Sequence, residues 1–104
     1  MPDQTRAQAA RDLRERRDRL AHEANEAFLE RHPEWLERYG ERARTHGEED
    51  ARFHLDFLAA AVEVDSPSSF LDYLRWTIQV LEGRGMDRTD LFEHLEDLMD
   101  AAAE

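Results

Sequence analysis

A histidine in an apolar stretch is the residue best placed to do chemistry. His54 lies between Phe53 and Leu55 in the most apolar part of the chain, four residues after Asp50. At this spacing both side chains share one face of a helix, so the carboxylate could orient the imidazole while its other nitrogen binds a haem or corrinoid metal as an axial ligand. The alternative is a histidine at the edge of the core, satisfied by Asp50 or by a backbone carbonyl.

Aromatic residues at helical spacing form the second candidate group. Phe57, Tyr73 and Trp76 could line a pocket for a planar ligand beside His54. At the same spacing aromatic side chains also form ordinary core, with the polar atoms of Tyr and Trp at its edge. The predicted ligand site therefore consists of His54, Asp50, Trp76, Tyr73 and Phe57, with cobalamin or haem as the candidate cofactor.

Carboxylates and histidines on helices also raise the question of a di-metal site. The ferritin-like pattern requires a Glu followed three residues later by a His, which points both side chains at a shared metal pair. No Glu in this sequence has that spacing, so no metal site is expected and a carboxylate-bridged metal protein is the weakest alternative. The remaining histidines are expected at the surface or at helix boundaries: His22, His32, His46 and His94.

The sequence lacks the usual groups for nucleophilic catalysis and phosphate binding. It contains no cysteine. Its three serines cluster at 66–69, where capping of a helix explains them. The glycines at 83 and 85 lie between two predicted helices, where glycine is an ordinary terminator rather than a phosphate-binding loop. We therefore expect a protein without enzymatic activity.

Length and charge exclude several other classes. The chain has 104 residues and a net charge of −11, and its 14 basic residues are all arginine. One domain spanning 1–104 is expected at this length. An acidic chain offers little positive field to displace phosphate counterions, so a nucleic-acid partner is not expected. No apolar run approaches the ~18 residues of a membrane span, and we expect a cytoplasmic protein.

Hydrophobic periodicity predicts an all-α fold of four main helices and one short helix. A long, Arg-rich, amphipathic helix is expected over about 5–31, followed by a short helix that Pro33 opens and Gly40 ends. Gly47 is expected to separate this part from a third helix over about 48–64, which is apolar nearly all round and so belongs in the middle of a bundle. Ser66 and Asp87 are predicted to cap the last two helices.

The first helix supplies the predicted interaction surface. Leu13, Leu20 and Phe28 share its apolar face and could be buried against a second copy of the chain. A homo-oligomer or a complex with a partner protein is the expected state. The basic first helix and the acidic last helix could also pair, within one chain or between two.

Four stretches of the sequence resemble a known family. These stretches are WLERYGE at 35–41, DARFHLDFLAAA at 50–61, FLDYLRW at 70–76 and VLEGRG at 80–85. They are similar to the helical segment that precedes the cobalamin-binding domain in some bacterial regulatory proteins. The resemblance implies a small helical bundle that caps the upper face of the corrinoid or relays its state to an output domain.

Two departures from that family pattern bear on the ligand. The Glu-His pair that follows the tryptophan in light-sensing members is replaced here by Met86-Asp87. The chain also has no Asp-x-His-x-x-Gly signature of the domain that holds the lower face of the corrinoid. We therefore expect a non-enzymatic regulatory or interaction module that acts by self-association or partner binding, with a tetrapyrrole sensor or carrier as the alternative.

Overall fold

The computed structural model describes residues 3–103, and within them it contains helices and turns but no strand. The all-α prediction is confirmed. The helices are α1 (Asp3–Glu15), α2 (Arg17–Arg31), α3 (Glu34–Tyr39), α4 (Glu41–Glu63), α5 (Pro67–Gly83) and α6 (Arg88–Ala103).

The predicted first helix over about 5–31 is interrupted at Arg16. Backbone hydrogen bonds continue on both sides, because the Arg16 N–H donates to the Asp12 carbonyl and the Leu20 N–H donates to the Arg16 carbonyl. The Arg16 guanidinium reaches across to the carbonyls of Ala101 and Ala102, at 3.5 and 3.2 Å. It thereby satisfies carbonyls in the last turn of α6 that lack a partner within their own helix.

The helix boundary predicted at Gly47 is wrong, because α4 runs through this residue without a break. Gly47 lies where α2 meets α4, directly beneath the amide of Asn25. Asn25 is buried, and its Nδ2 donates to the carbonyls of Ala43 and Arg44 at 3.3 and 3.4 Å. The glycine is therefore explained by the close approach of a side chain from another helix, and not by a turn.

The other predicted boundaries agree with the structure. The short helix ends at Gly40, whose positive φ of 62° favours glycine. Ser66 and Pro67 begin α5, although the Ser66 hydroxyl bonds to the hydroxyls of neighbouring serines instead of to a backbone N–H. Asp87 caps α6, since its carboxylate accepts a hydrogen bond from the Thr89 N–H at 2.8 Å.

The core lies where α2 is held between α4 and α6. Alanines at the centre of this contact allow the helix axes to approach closely, and leucines fill the space around them. The main buried cluster consists of Leu20, Ala21, Ala24, Ala51, Leu55 and Leu98. Helix α4 also contacts α1, α3 and α5, as expected for a central helix, whereas α5 packs mainly on α4 and makes a smaller contact with α6.

Leu13, Leu20 and Phe28 do not form an exposed interaction surface. Leu20 and Phe28 are only 0% and 5% exposed, and Leu13 packs against the main buried cluster. The apolar stripe that could have joined two copies is covered by α4 and α6 of the same chain. A second copy cannot reach these side chains while the chain is folded, so the predicted surface is corrected.

Candidate functional site

A cavity of about 570 Å³ opens between α3, α4 and the turn that joins α5 to α6. Trp35 and Tyr39 of α3 form one wall, with their ring centroids 5.5 Å apart. His54 of α4 and His94 of α6 also line the cavity, with ring centroids 6.1 Å apart. Cavities of this size with a mixed lining are typical of small-molecule sites.

His54 is buried, and its hydrogen-bond partner is Tyr73 and not Asp50. Its Nδ1 and the Tyr73 hydroxyl share a hydrogen bond of 2.6 Å. Burial, with a smaller contribution from the nearby His94, lowers the pKa of His54 to about 3. Burial also raises the pKa of Tyr73 to about 12. Near neutral pH the pair is therefore an uncharged imidazole bonded to an uncharged phenol.

Asp50 lies in the cavity wall, one helical turn before His54, but it makes no hydrogen bond to the imidazole. Burial raises the pKa of its carboxyl group, and Glu49 adds to this effect. Arg84 and His46, which also line the cavity, oppose the rise. The structure thus brings Asp50 and His54 to one cavity without forming the carboxylate–imidazole pair that the spacing suggested.

The five residues of the predicted ligand site fall into two places. His54 and Asp50 line the cavity, whereas Phe57, Tyr73 and Trp76 lie along the contact between α4 and α5. The Phe57 and Tyr73 rings stack with their centroids 4.1 Å apart, and Trp76 lies beside Tyr73. A planar ligand in the cavity would meet Trp35 and Tyr39 instead of Phe57 and Trp76.

His94 is the residue whose position the sequence prediction missed. It was expected near the surface, but it is only 9% exposed and contacts Phe28 as well as His54. Burial lowers its pKa to about 4. The signal was present in the sequence, because His94 lies three residues after Leu91 and four before Leu98, on the buried stripe of α6.

Two further observations limit the chemistry of this region. Within residues 3–103, no three histidine, aspartate or glutamate side chains are grouped so that they could hold a metal ion. The serine hydroxyls at the start of α5 bond to one another and not to a histidine.

Comparison with family models, curated proteins and solved structures gives no match for this chain. The similarity to cobalamin-associated helical segments therefore stays a prediction from the residues. Among the helices described here, none has the length and apolar character needed to cross a bilayer.

Proposed function

We propose that the chain is a non-enzymatic helical module that acts by self-association through one face of α4 and α5. The observation that carries the proposal is the incomplete burial of α5. This helix is rich in large apolar residues, yet only Tyr73 and Thr77 are buried along it. Leu71 and Trp76 of the same helix are half or more exposed, which leaves an apolar surface that a further partner would cover.

The face consists of Phe53, Phe57 and Trp76, which lie around the buried Tyr73, and it is called the aromatic face below. Phe53, Phe57 and Trp76 are 48%, 49% and 61% exposed. Aromatic side chains of this kind provide most of the binding energy at protein interfaces, because they bury a large area at a small cost in conformational entropy. Contiguous exposed aromatic residues in a soluble domain mark a site of interaction.

The total surface of the chain supports an interface of ordinary size. The chain exposes 6754 Å². A folded monomer of 12.2 kDa typically exposes about 6,060 Å², so the excess is roughly 700 Å². A standard protein interface buries about 800 Å² on each partner. The radius of gyration of 14.0 Å, against about 13 Å for a compact domain of this length, agrees with an incompletely covered fold.

A second copy is the partner that the charges favour. The chain as a whole carries −11, which opposes association between copies. Around the aromatic face, however, Arg75 is paired with Asp72 at 3.2 Å and Asp56 is paired with Arg17 at 2.8 Å. The face is thus close to neutral. A twofold axis that crosses an antiparallel α5 pair between residues 73 and 74 would place Asp72 of each copy against Arg75 of the other.

The test is the mass of the protein in solution as a function of concentration. We expect sedimentation velocity to show a dimer for the native chain and a monomer for Trp76→Glu, because a carboxylate at the centre of the aromatic face would be buried without a partner. Met99→Glu is the matched control, since Met99 is an equally exposed apolar residue on α6. It introduces the same charge and should leave the dimer intact.

Circular dichroism should show that both variants retain the native helix content. A native chain that stays monomeric at all concentrations would refute the proposal. Equal dissociation by Trp76→Glu and Met99→Glu would place the interface elsewhere and would also refute it.

A further inference from the structure

Three arginines that line the cavity form no direct salt bridge, although Arg84 interacts electrostatically with Asp50. Arg38, Arg42 and Arg84 form no ion pair with any residue in the described range 3–103, although the chain has 25 acidic residues. Most arginines elsewhere are paired, among them Arg14 with Glu63 at 2.6 Å. Guanidinium groups that line a cavity without a direct salt bridge are suited to bind the carboxylate, sulfonate or phosphate of a ligand.

The floor of the same cavity holds an unsatisfied polar atom. His94 lies in the lining, and its Nε2 is buried with no hydrogen-bond partner among the described residues. Buried polar atoms are almost always hydrogen-bonded, so an exception requires an explanation. His94 is uncharged near neutral pH, because its pKa is lowered to about 4 by burial. Nε2 has almost no accessible surface, so it lies behind the cavity wall and a ligand in the cavity does not contact it directly.

The wall between the arginines and the floor is aromatic. Trp35 packs edge-on against Phe28, with centroids 5.9 Å apart, and Tyr39 lies beside Trp35. The Arg38 guanidinium lies over the Tyr39 ring at 5.3 Å from its centroid, which keeps this cation at the cavity mouth. Aromatic walls of this kind favour a flat, unsaturated ligand.

Carboxylates in the lining restrict the charge of that ligand. Glu34 is bonded to His32, and Asp87 caps α6, so both are already occupied. Asp50 and Asp90 also face the cavity, and burial raises the pKa of each. The negative charge of these four carboxylates nearly balances the positive charge of the three arginines. A ligand with several negative charges would be repelled, whereas one negative group placed at the arginines would not.

We propose that this cavity is a binding site for a small planar aromatic molecule with a single negatively charged group. The anionic group binds Arg42 and Arg84, and the ring lies against Trp35 and Tyr39. The site shares no residue with the aromatic face of α4 and α5, so ligand binding and self-association are separable.

The test uses the two tryptophans of the chain as local probes. Trp35 lines the cavity and Trp76 belongs to the aromatic face. Each indole N–H gives one signal in a heteronuclear NMR spectrum of isotope-labelled protein, and Trp76→Phe assigns the two signals. Titration with anilinonaphthalene sulfonate, an aromatic monoanion with a flat naphthalene ring, should shift the Trp35 signal to saturation and leave the Trp76 signal in place.

Two comparisons test the charge requirement. Phenylnaphthylamine has the same rings without the sulfonate and should bind about tenfold more weakly. The double variant Arg42→Gln/Arg84→Gln should weaken binding of the sulfonate by about tenfold or more, because charge-assisted hydrogen bonds are lost. The matched control Arg11→Gln/Arg19→Gln removes the same charge from exposed positions outside the cavity and should leave the affinity unchanged.

Three results would overturn the proposal. The first is a shift of the Trp76 signal alone, which would place the probe on the aromatic face. The second is equal affinity for the neutral and the anionic probe. The third is equal affinity of the cavity double variant and its control.

Discussion

Replacement of Gly47 by alanine is the sharpest test of how α2 and α4 are packed. In an ordinary helix interior this change stabilises the folded protein by about 1 kcal/mol, because alanine has a higher helix propensity than glycine. Here a Cβ atom would lie 2.7 Å from Asn25 Cγ and 2.9 Å from Asn25 Nδ2, well inside van der Waals contact. We therefore expect the sign of the effect to be reversed.

The magnitude follows from what Asn25 must give up. The side chain is 2% exposed, so it cannot move into solvent without opening the contact between α2 and α4. If it rotates away, it loses its hydrogen bonds to the Ala43 and Arg44 carbonyls and leaves a buried amide unsatisfied. Overpacking costs about 1–3 kcal/mol and an unsatisfied buried group costs about 1–3 kcal/mol. After the gain of about 1 kcal/mol in helix propensity, a net loss of about 1–5 kcal/mol is expected.

The measurement is urea unfolding followed by far-ultraviolet circular dichroism. Gly47→Ala should lower the urea concentration at the unfolding midpoint. The slope of the free energy of unfolding against urea concentration should stay unchanged, as expected when stability alone changes. Gly83→Ala is the control, because a Cβ at that helical position meets no atom within 4 Å. It should be neutral or slightly stabilising.

A double-mutant cycle isolates the contact itself. In an Asn25→Ala background the obstacle is gone, so Gly47→Ala should become stabilising by up to about 1 kcal/mol. The reasoning is refuted if Gly47→Ala is as stable as the native chain, or if its cost is the same with and without Asn25.

Two further predictions concern charged and titratable groups. Arg31→Gln should lower the free energy of unfolding by about 1–3 kcal/mol, because it removes the 2.8 Å partner of the buried Asp97 carboxylate. In the same urea titration, Arg19→Gln at an exposed ion pair should lower it by less than about 1 kcal/mol. Equal losses in the two variants would contradict this prediction. His54 and His94 stay uncharged in the fold but take up protons near pH 6.5 when unfolded, so they make stability fall as the pH falls below that value. Between pH 7 and pH 5 the free energy of unfolding of the native chain should therefore fall by about 2 kcal/mol more than that of His94→Gln. If the free energies of unfolding of the two proteins change in parallel with pH, His94 is not a buried neutral imidazole.

Local signals were sufficient to predict the fold class and most helix ends. Apolar residues at three- and four-residue spacing indicate helices in any tertiary context, because the period of the backbone alone determines which side chains share a face. The starts at Pro67 and Asp87 and the end at Gly40 were equally local, since proline, a capping carboxylate and a positive φ act within one turn.

The errors arose where a residue type has two physical explanations. Gly47 was interpreted as a helix terminator, but the same absence of a Cβ also admits a side chain from a distant helix, and only the position of Asn25 distinguishes the two. Leu20 and Phe28 form an apolar stripe that fits a second copy as well as α4 and α6. The spacing of apolar residues indicates that such a stripe is buried, but it does not indicate whether helices of the same chain or a second copy cover it.

The candidate site shows the same contrast between what local spacing predicts and what the packing of helices determines. Helical spacing was enough to predict that His54 and Asp50 share a helical face and that Tyr73 and Trp76 lie on the next long helix. The hydrogen bond from Tyr73 to His54, the approach of His94 from α6 and the outward position of Trp76 depend on how the helices pack. Helical periodicity acts over a few residues, whereas the cavity depends on how α3, α4 and α6 are placed relative to one another, and no local spacing encodes that placement.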